Sequence, residues 1–163
     1  MPGVSLRPPD VPRSCLFNRV LLVCVGNICR SPVAEALLRQ RLGADGPARV
    51  SSAGLQALEG SGMDPTAACL LREAGVAMAA HRARQATPAL LRAADLVLAM
   101  ERAHVEAVVA RVPQMRGRVF RLGHWEGVDV PDPYRQQRIA FEHVHALIER
   151  NLEHWLAHLG GQR

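Results

Sequence analysis

Val20-Leu21-Leu22-Val23-Cys24-Val25 is an unbroken apolar run that ends at Gly26. A run this short, with no polar alternation, predicts a strand buried on both faces, as in a parallel sheet. The pattern then changes. Ser31-Pro32 predicts a helix start, with a hydroxyl at the N-cap and proline at the first helical position, and Glu35 suits the positive end of the helix dipole. Ala34, Leu38 and Leu42 repeat at i, i+4, and Gly43 predicts the stop. Further strands are predicted near Val50 to Ala53, Leu96 to Met100 and Val119 to Leu122. Helices are predicted from Pro65 to Ala74 ahead of Gly75, after Thr87-Pro88, from Glu101 to Val112 and from Gln136 to Leu159. The last carries Ile139, Val144, Leu147, Ile148, Leu152 and Trp155 as its apolar positions.

Strands alternating with helices predict an α/β fold: three layers, with a four-stranded parallel twisted sheet between helices on both faces. At 163 residues and 48% hydrophobic content the chain suits one core. Residues 19–163 are expected to form that single domain. Residues 1–18, with Pro2, Pro8, Pro9 and Pro12 and no apolar run, are expected to be a disordered leader, neither signal peptide nor anchor.

Charge and cysteine content narrow the classes. All 20 basic residues are Arg against 15 acidic ones, a net +5 spread along the chain. Without a polybasic block or interleaved aromatics this is no nucleic-acid footprint, though it attracts anions. Four irregularly spaced cysteines make no disulfide framework, which fits a reducing, cytoplasmic setting. No apolar stretch approaches the ~20 residues that cross a bilayer, so membrane insertion is not expected.

The chemistry concentrates in Cys24-Val25-Gly26-Asn27-Ile28-Cys29-Arg30-Ser31, a Cys-x5-Arg-Ser pattern at a strand-to-helix turn. The N–H groups of such a turn converge on one point and, with the helix dipole, form an anion site. Gly26 and Asn27 suit its unusual backbone angles. Arg30 offers a planar fork to two oxyanion oxygens. Cys24 at the strand end is placed where that field favours a thiolate nucleophile, and Ser31 can donate to it. Asp132, between Pro131 and Pro133 on a loop after the fourth strand, is the candidate general acid, with Tyr134 as an aromatic wall. Cys29 admits two readings, simple packing or a reversible disulfide with Cys24. His154 and His158 have metal-binding spacing on a helix but no third ligand, so no metal is expected.

These motifs, with Ser52-Ala53-Gly54, His81-Arg82-Ala83-Arg84-Gln85, Asp95 to Met100 and Asp132-Pro133-Tyr134, resemble the low-molecular-weight protein-tyrosine-phosphatase family from about Val20 to the final helix. The resemblance implies a phosphocysteine intermediate on Cys24, Asp132 as acid and then base, and no metal or other cofactor. It further implies Val25 to Ser31 as the phosphate-binding residues, and Asn27 bracing the loop through Ser31, Ser52 and His81. Leu55 and Tyr134 would form the substrate walls. Ser51 to Leu55, Gly123-His124-Trp125 and Pro131 to Arg135 are similar to bacterial phosphatases of capsule and exopolysaccharide export. Those imply a phosphotyrosine protein as partner, a membrane-bound tyrosine autokinase. Arg135 stands where many members carry a second Tyr.

Two related activities and one inactive class compete. A thiol-dependent arsenate reductase resembles the same loop but needs relay cysteines downstream, and only Cys69 follows. A protein-arginine phosphatase resembles it too, with Thr where Ile28 stands. A non-catalytic phosphate-binding module would be expected to have lost Cys24, Arg30 or Asp132, and all three are present.

Overall fold

Side chains that alternate along one central strand supply two separate cores. In the computed structural model, which describes residues 17–43, 46 and 48–159, strand β1 (Arg19–Cys24) pairs in parallel with β2 (Arg49–Gly54) and β3 (Leu96–Ala99). β3 pairs in parallel with β4 (Val119–Arg121), and the sheet order is β2-β1-β3-β4. Val20, Leu22 and Cys24 point into a core completed by helices α1 (Arg30–Leu42), α2 (Pro65–Glu73) and α5 (Arg138–Leu156). Leu21 and Val23 point into a second core with α3 (Pro88–Ala93) and α4 (Arg102–Arg111) on the opposite face. The four-stranded parallel sheet covered on both faces is therefore as expected, and its continuous apolar strands follow from burial on both sides.

The helix signals divide into two kinds. Thr87 Oγ1 caps α3 by accepting the Leu90 N–H, Asp64 caps α2 by accepting from Thr66 and Ala67, and Gly43, at φ 78°, ends α1. Ser31, however, is not an N-cap. α1 begins two residues earlier than expected, at Arg30, with Cys29 in the cap position making no side-chain cap bond, and the Ser31 hydroxyl is drawn toward Cys24. Nor is Ile139 a core residue: at 71% exposure it lies on the outer face of the first turn of α5, and Phe141 takes the inward position.

The leader expected over residues 1–18 falls largely on residues 1–16, outside the described residues. Its last two residues belong to the fold. Phe17 packs against the α1/α5 core and the Asn18 N–H donates to Asp95 Oδ2. Among the described residues, no helix is long and apolar enough to cross a membrane.

Sheet order places the switch point between β1, whose connection runs to β2, and β3, whose neighbour is β4. The crevice beyond the carboxyl ends of the strands opens there. Residues following β1, β3 and β4 meet at that edge.

Candidate active site

Five consecutive carbonyls of the turn after β1 face away from its centre, each with a donor. Those of Cys24, Val25, Gly26 and Ile28 accept the N–H groups of Leu55, Gln56, Leu58 and Asp64 at 2.8–3.0 Å, and that of Asn27 is 2.6 Å from His81 Nε2. With the carbonyls turned outward, the N–H groups turn inward. Among the described residues no protein acceptor receives the N–H groups of Gly26, Asn27, Ile28 or Cys29. Four inward donors at the start of α1 form an oxyanion cradle.

Asn27 holds that shape. Its φ of 58° lies in the left-handed region, and its fully buried side chain uses all its principal hydrogen-bonding groups. Nδ2 donates to Ser31 Oγ at 2.8 Å and Ser52 Oγ at 3.0 Å, and Oδ1 accepts from the Arg84 N–H at 3.0 Å. Ser52 in turn donates to Glu35 Oε1 at 2.6 Å. The close approach of β2 requires Gly54, since a Cβ there would sit 2.3 Å from the Val25 carbonyl oxygen. Asn27, Ser31, Ser52 and His81 are thus brought together, and Glu35, read from the sequence only as a dipole partner, is part of the same chain of bonds.

Cys24 Sγ lies 2.9 Å from Ser31 Oγ. Because Ser31 already accepts from Asn27, its own proton is available to the sulfur. Cys29, buried beside the same cavity, has its thiol pushed up to about 12, first by burial and then by the carboxylates of Asp64 and Asp132. It stays protonated at neutral pH.

Arg30 is 2% exposed despite its charge, so its position is fixed by partners. Nη1 donates to Glu101 Oε2 at 2.7 Å and to the Val130 carbonyl at 2.9 Å, and Nη2 lies 3.8 Å from Asp132 Oδ2. With Nη1 anchored, Nη2 and Nε remain for a ligand. Glu101 is the residue that sequence reasoning missed. It follows Met100 at the end of β3, beside the strand that carries the loop. A carboxylate at that strand edge is the signal that could have found it.

His104 supports Glu101 from one turn along α4. Its Nδ1 accepts the Glu101 N–H at 3.2 Å, which fixes the neutral ring with its proton on Nε2, 3.2 Å from Glu101 Oε2. Burial first, and then Arg30, lower its basicity. A histidine lowered on folding binds its proton more readily in the unfolded chain, so its stabilising effect is complete above the unfolded value of about 6.5 and is lost as pH falls below it. Denaturant unfolding of the wild type should accordingly show stability falling from pH 7.5 to 5, and His104→Asn should reduce that slope, leaving the part due to His124, which burial also lowers. An unchanged slope would remove His104 from the account. Asp129, lowered by its hydrogen bond with Arg121, acts only at lower pH, below its usual carboxylate value.

Asp132 arrives from the loop after β4. That loop is held by the Val130 N–H on the Met100 carbonyl and by Asp129, which accepts from the Arg102 N–H and Arg121. Asp132 Oδ1 accepts the Tyr134 N–H at 3.0 Å, leaving Oδ2 toward Arg30. Its side chain is 49% exposed and so within reach of an entering ligand.

The cavity formed by these elements has a volume of about 260 Å³, with Cys24 and Arg30 among its lining residues and Gln56, Leu58, Asp132 and Tyr134 contributing to its walls. Leu55 does not belong to it. Its side chain is 5% exposed and packs into the α3/α4 core with Leu21 and Val23, because the strand alternation of β2 carries it inward. Its backbone clamps the loop, and Leu58, 46% exposed, is the apolar wall residue. Away from the cavity, His154 faces Glu126 and His158 stacks on Trp125. Among the described residues no three His, Cys, Asp or Glu side chains converge as for a metal.

The family model for low molecular weight phosphotyrosine protein phosphatase matches residues 19–163. The chain is 45% identical over 149 residues to the low molecular weight protein-tyrosine-phosphatase Wzb of Escherichia coli K12, covering 91% of this chain and 99% of that one. It is likewise 45% identical over 141 residues to the probable phosphatase EpsP of Ralstonia solanacearum, covering 86% and 95%. Among solved structures, Vibrio vulnificus Wzb in complex with benzylphosphonate superposes with a TM-score of 0.81 at 40% identity, covering 86% of this chain and 98% of that one. With the family model matching residues 19–163 and relatives 45% identical over most of their length, the chain belongs to the low-molecular-weight phosphotyrosine protein phosphatase family.

Proposed function

We propose that the protein hydrolyses phosphotyrosine in proteins through a phosphocysteine on Cys24. The observation that carries this reading is the convergence in one cavity of Cys24 Sγ, the four inward N–H groups, the anchored Arg30 and the reachable Asp132, walled by Tyr134 and Leu58. The Cys24 thiolate attacks phosphorus, the bond to the phenolic oxygen breaks, and Asp132 protonates that oxygen as it leaves. Asp132, now a carboxylate, takes a proton from water, whose oxygen attacks the phosphocysteine. The S–P bond breaks, the thiolate returns with Ser31 donating to it, and phosphate leaves. The N–H groups and Arg30 hold the three equatorial oxygens throughout, and their fixed dipoles account for most of the stabilisation of the charge that develops. Chelators should leave this chemistry unchanged.

An aromatic ring is favoured as the leaving group because the walls at the mouth are the aromatic side chain of Tyr134 and an apolar leucine. The related Vibrio vulnificus protein was captured with an aryl-bearing phosphonate. Ile28 adds an apolar side chain to the cavity lining, which suits a phenol better than a guanidinium. In the cell the reading extends to a cytoplasmic enzyme that removes phosphate from a membrane-bound tyrosine autokinase of exopolysaccharide or capsule export, supported by the motifs shared with that branch. Cys29, its thiol pushed up to about 12, is a poor attacking thiolate, which favours the packing reading of this residue over a resolving partner for Cys24.

The test is a side-by-side assay of one peptide carrying phosphotyrosine, phosphoserine or phosphoarginine. Turnover of the phosphotyrosine form should exceed the others by orders of magnitude. Preference for phosphoarginine would overturn the assignment.

A further inference from the structure

Arg135 sits in a conformation that side chains rarely adopt, next to the wall of the site. The Gln136 N–H donates to the Pro133 carbonyl at 2.9 Å and closes a turn whose third residue is Arg135, at φ 62°. Apart from Asn27 in the phosphate cradle, it is the only described non-glycine residue with positive φ. Glycine relieves such a position, and a strained arginine there at a site rim suggests a use for its side chain. The same turn is held by the Tyr134 N–H on Asp132 Oδ1 and by Gln136 Nε2 on the Asp132 carbonyl. The rim residue is therefore rigidly tied to the candidate acid.

The guanidinium lies over the Tyr134 ring, 5.2 Å from its centroid. Tyr134 lines the cavity and Arg135 does not, so the cation stands outside the phosphate cradle, at the rim beside Tyr134. Its charge is unmet: among the described residues no carboxylate pairs with Arg135. Three residues on, Arg138 is neutralised by Glu73 and Glu142. The neutral Gln56 and the apolar Leu58 line the mouth, and Asp132, already directed toward Arg30, is the acidic residue of the cavity lining.

We propose that Arg135 is a specificity-determining residue that selects phosphotyrosines with an anionic neighbour, a carboxylate or a second phosphorylated tyrosine, in the substrate. A planar cation backed by an aromatic ring keeps one edge of donors for a carboxylate or phosphate, and stacking limits the conformational freedom it loses on binding. This inference rests on the phosphotyrosine reading of the same site.

The test measures kcat/KM at low ionic strength for phosphotyrosine peptides with neutral flanks, with Glu on either side, or with an adjacent phosphotyrosine, and for a small aryl phosphate. The wild type should favour anionic flanks by roughly threefold to tenfold, as expected for one partly exposed pair, and lose the preference in high salt. Arg135→Gly, which relaxes the backbone and removes the cation, should abolish the preference while leaving the small aryl phosphate unaffected. Arg135→Lys should keep part of it and Arg135→Glu should invert it. Equal rates on all flanks in the wild type, or a preference that survives in Arg135→Gly, would overturn the proposal. Failure to hydrolyse even the neutral phosphotyrosine peptide would instead overturn the phosphotyrosine reading. The peptide arms separate carboxylate from phosphate recognition.

Discussion

Cys24→Ser is expected to reduce aryl phosphate turnover on the order of 10⁴-fold or more, because a serine hydroxyl at this position has no adjacent base to ionise it. The fold should survive. The substitution exchanges sulfur for oxygen at a residue 2% exposed, and Ser31 Oγ remains within reach as a partner. Phosphate or vanadate should still bind, since the N–H groups of Gly26 to Cys29 and the free edge of Arg30 are untouched. Steady-state rates together with a phosphate-binding titration check both halves. Appreciable residual turnover would show that the nucleophile lies elsewhere.

Asp132→Asn is expected to slow hydrolysis by about 10²–10⁴-fold for substrates whose leaving phenol is weakly acidic, and far less for activated ones. The asparagine oxygen can still accept the Tyr134 N–H, so the loop keeps its shape and the loss isolates the proton. A series of aryl phosphates of graded leaving-group acidity reads this directly. A uniform loss across the series would mean that Asp132 positions the ligand and does not protonate it.

The strands, the sheet and the cradle were legible in the sequence because each depends on neighbours in the chain. The apolar run of β1, the Thr87-Pro88 start and the Gly43 stop are local signals, and the spacing from Cys24 to Arg30 is a property of one turn. Glu101 was hidden for the opposite reason. It lies 71 residues from Arg30 and its role appears only when β3 lies beside β1. Leu55 was misplaced because residues just beyond a strand can face the ligand or the core, and only the packing against Leu21 and Val23 decides. Ser31 looked like a helix cap, but a buried sulfur and the Asn27 amide competed for its hydroxyl and won.

The outward pinning of the five loop carbonyls separates two tasks within one cavity. The alignment of the oxyanion donors is completed when the chain folds, so the cradle need not reorganise when a ligand arrives. In the proposed function it recognises only the tetrahedral oxyanion and carries no information about the molecule attached to it. Discrimination must then lie in the side chains of the few rim residues, Leu58, Tyr134 and Arg135, of which only Leu58 joins the pinning bonds, and only through its backbone N–H. Related chains can therefore change their clients by exchanging rim side chains while the chemistry beneath stays constant.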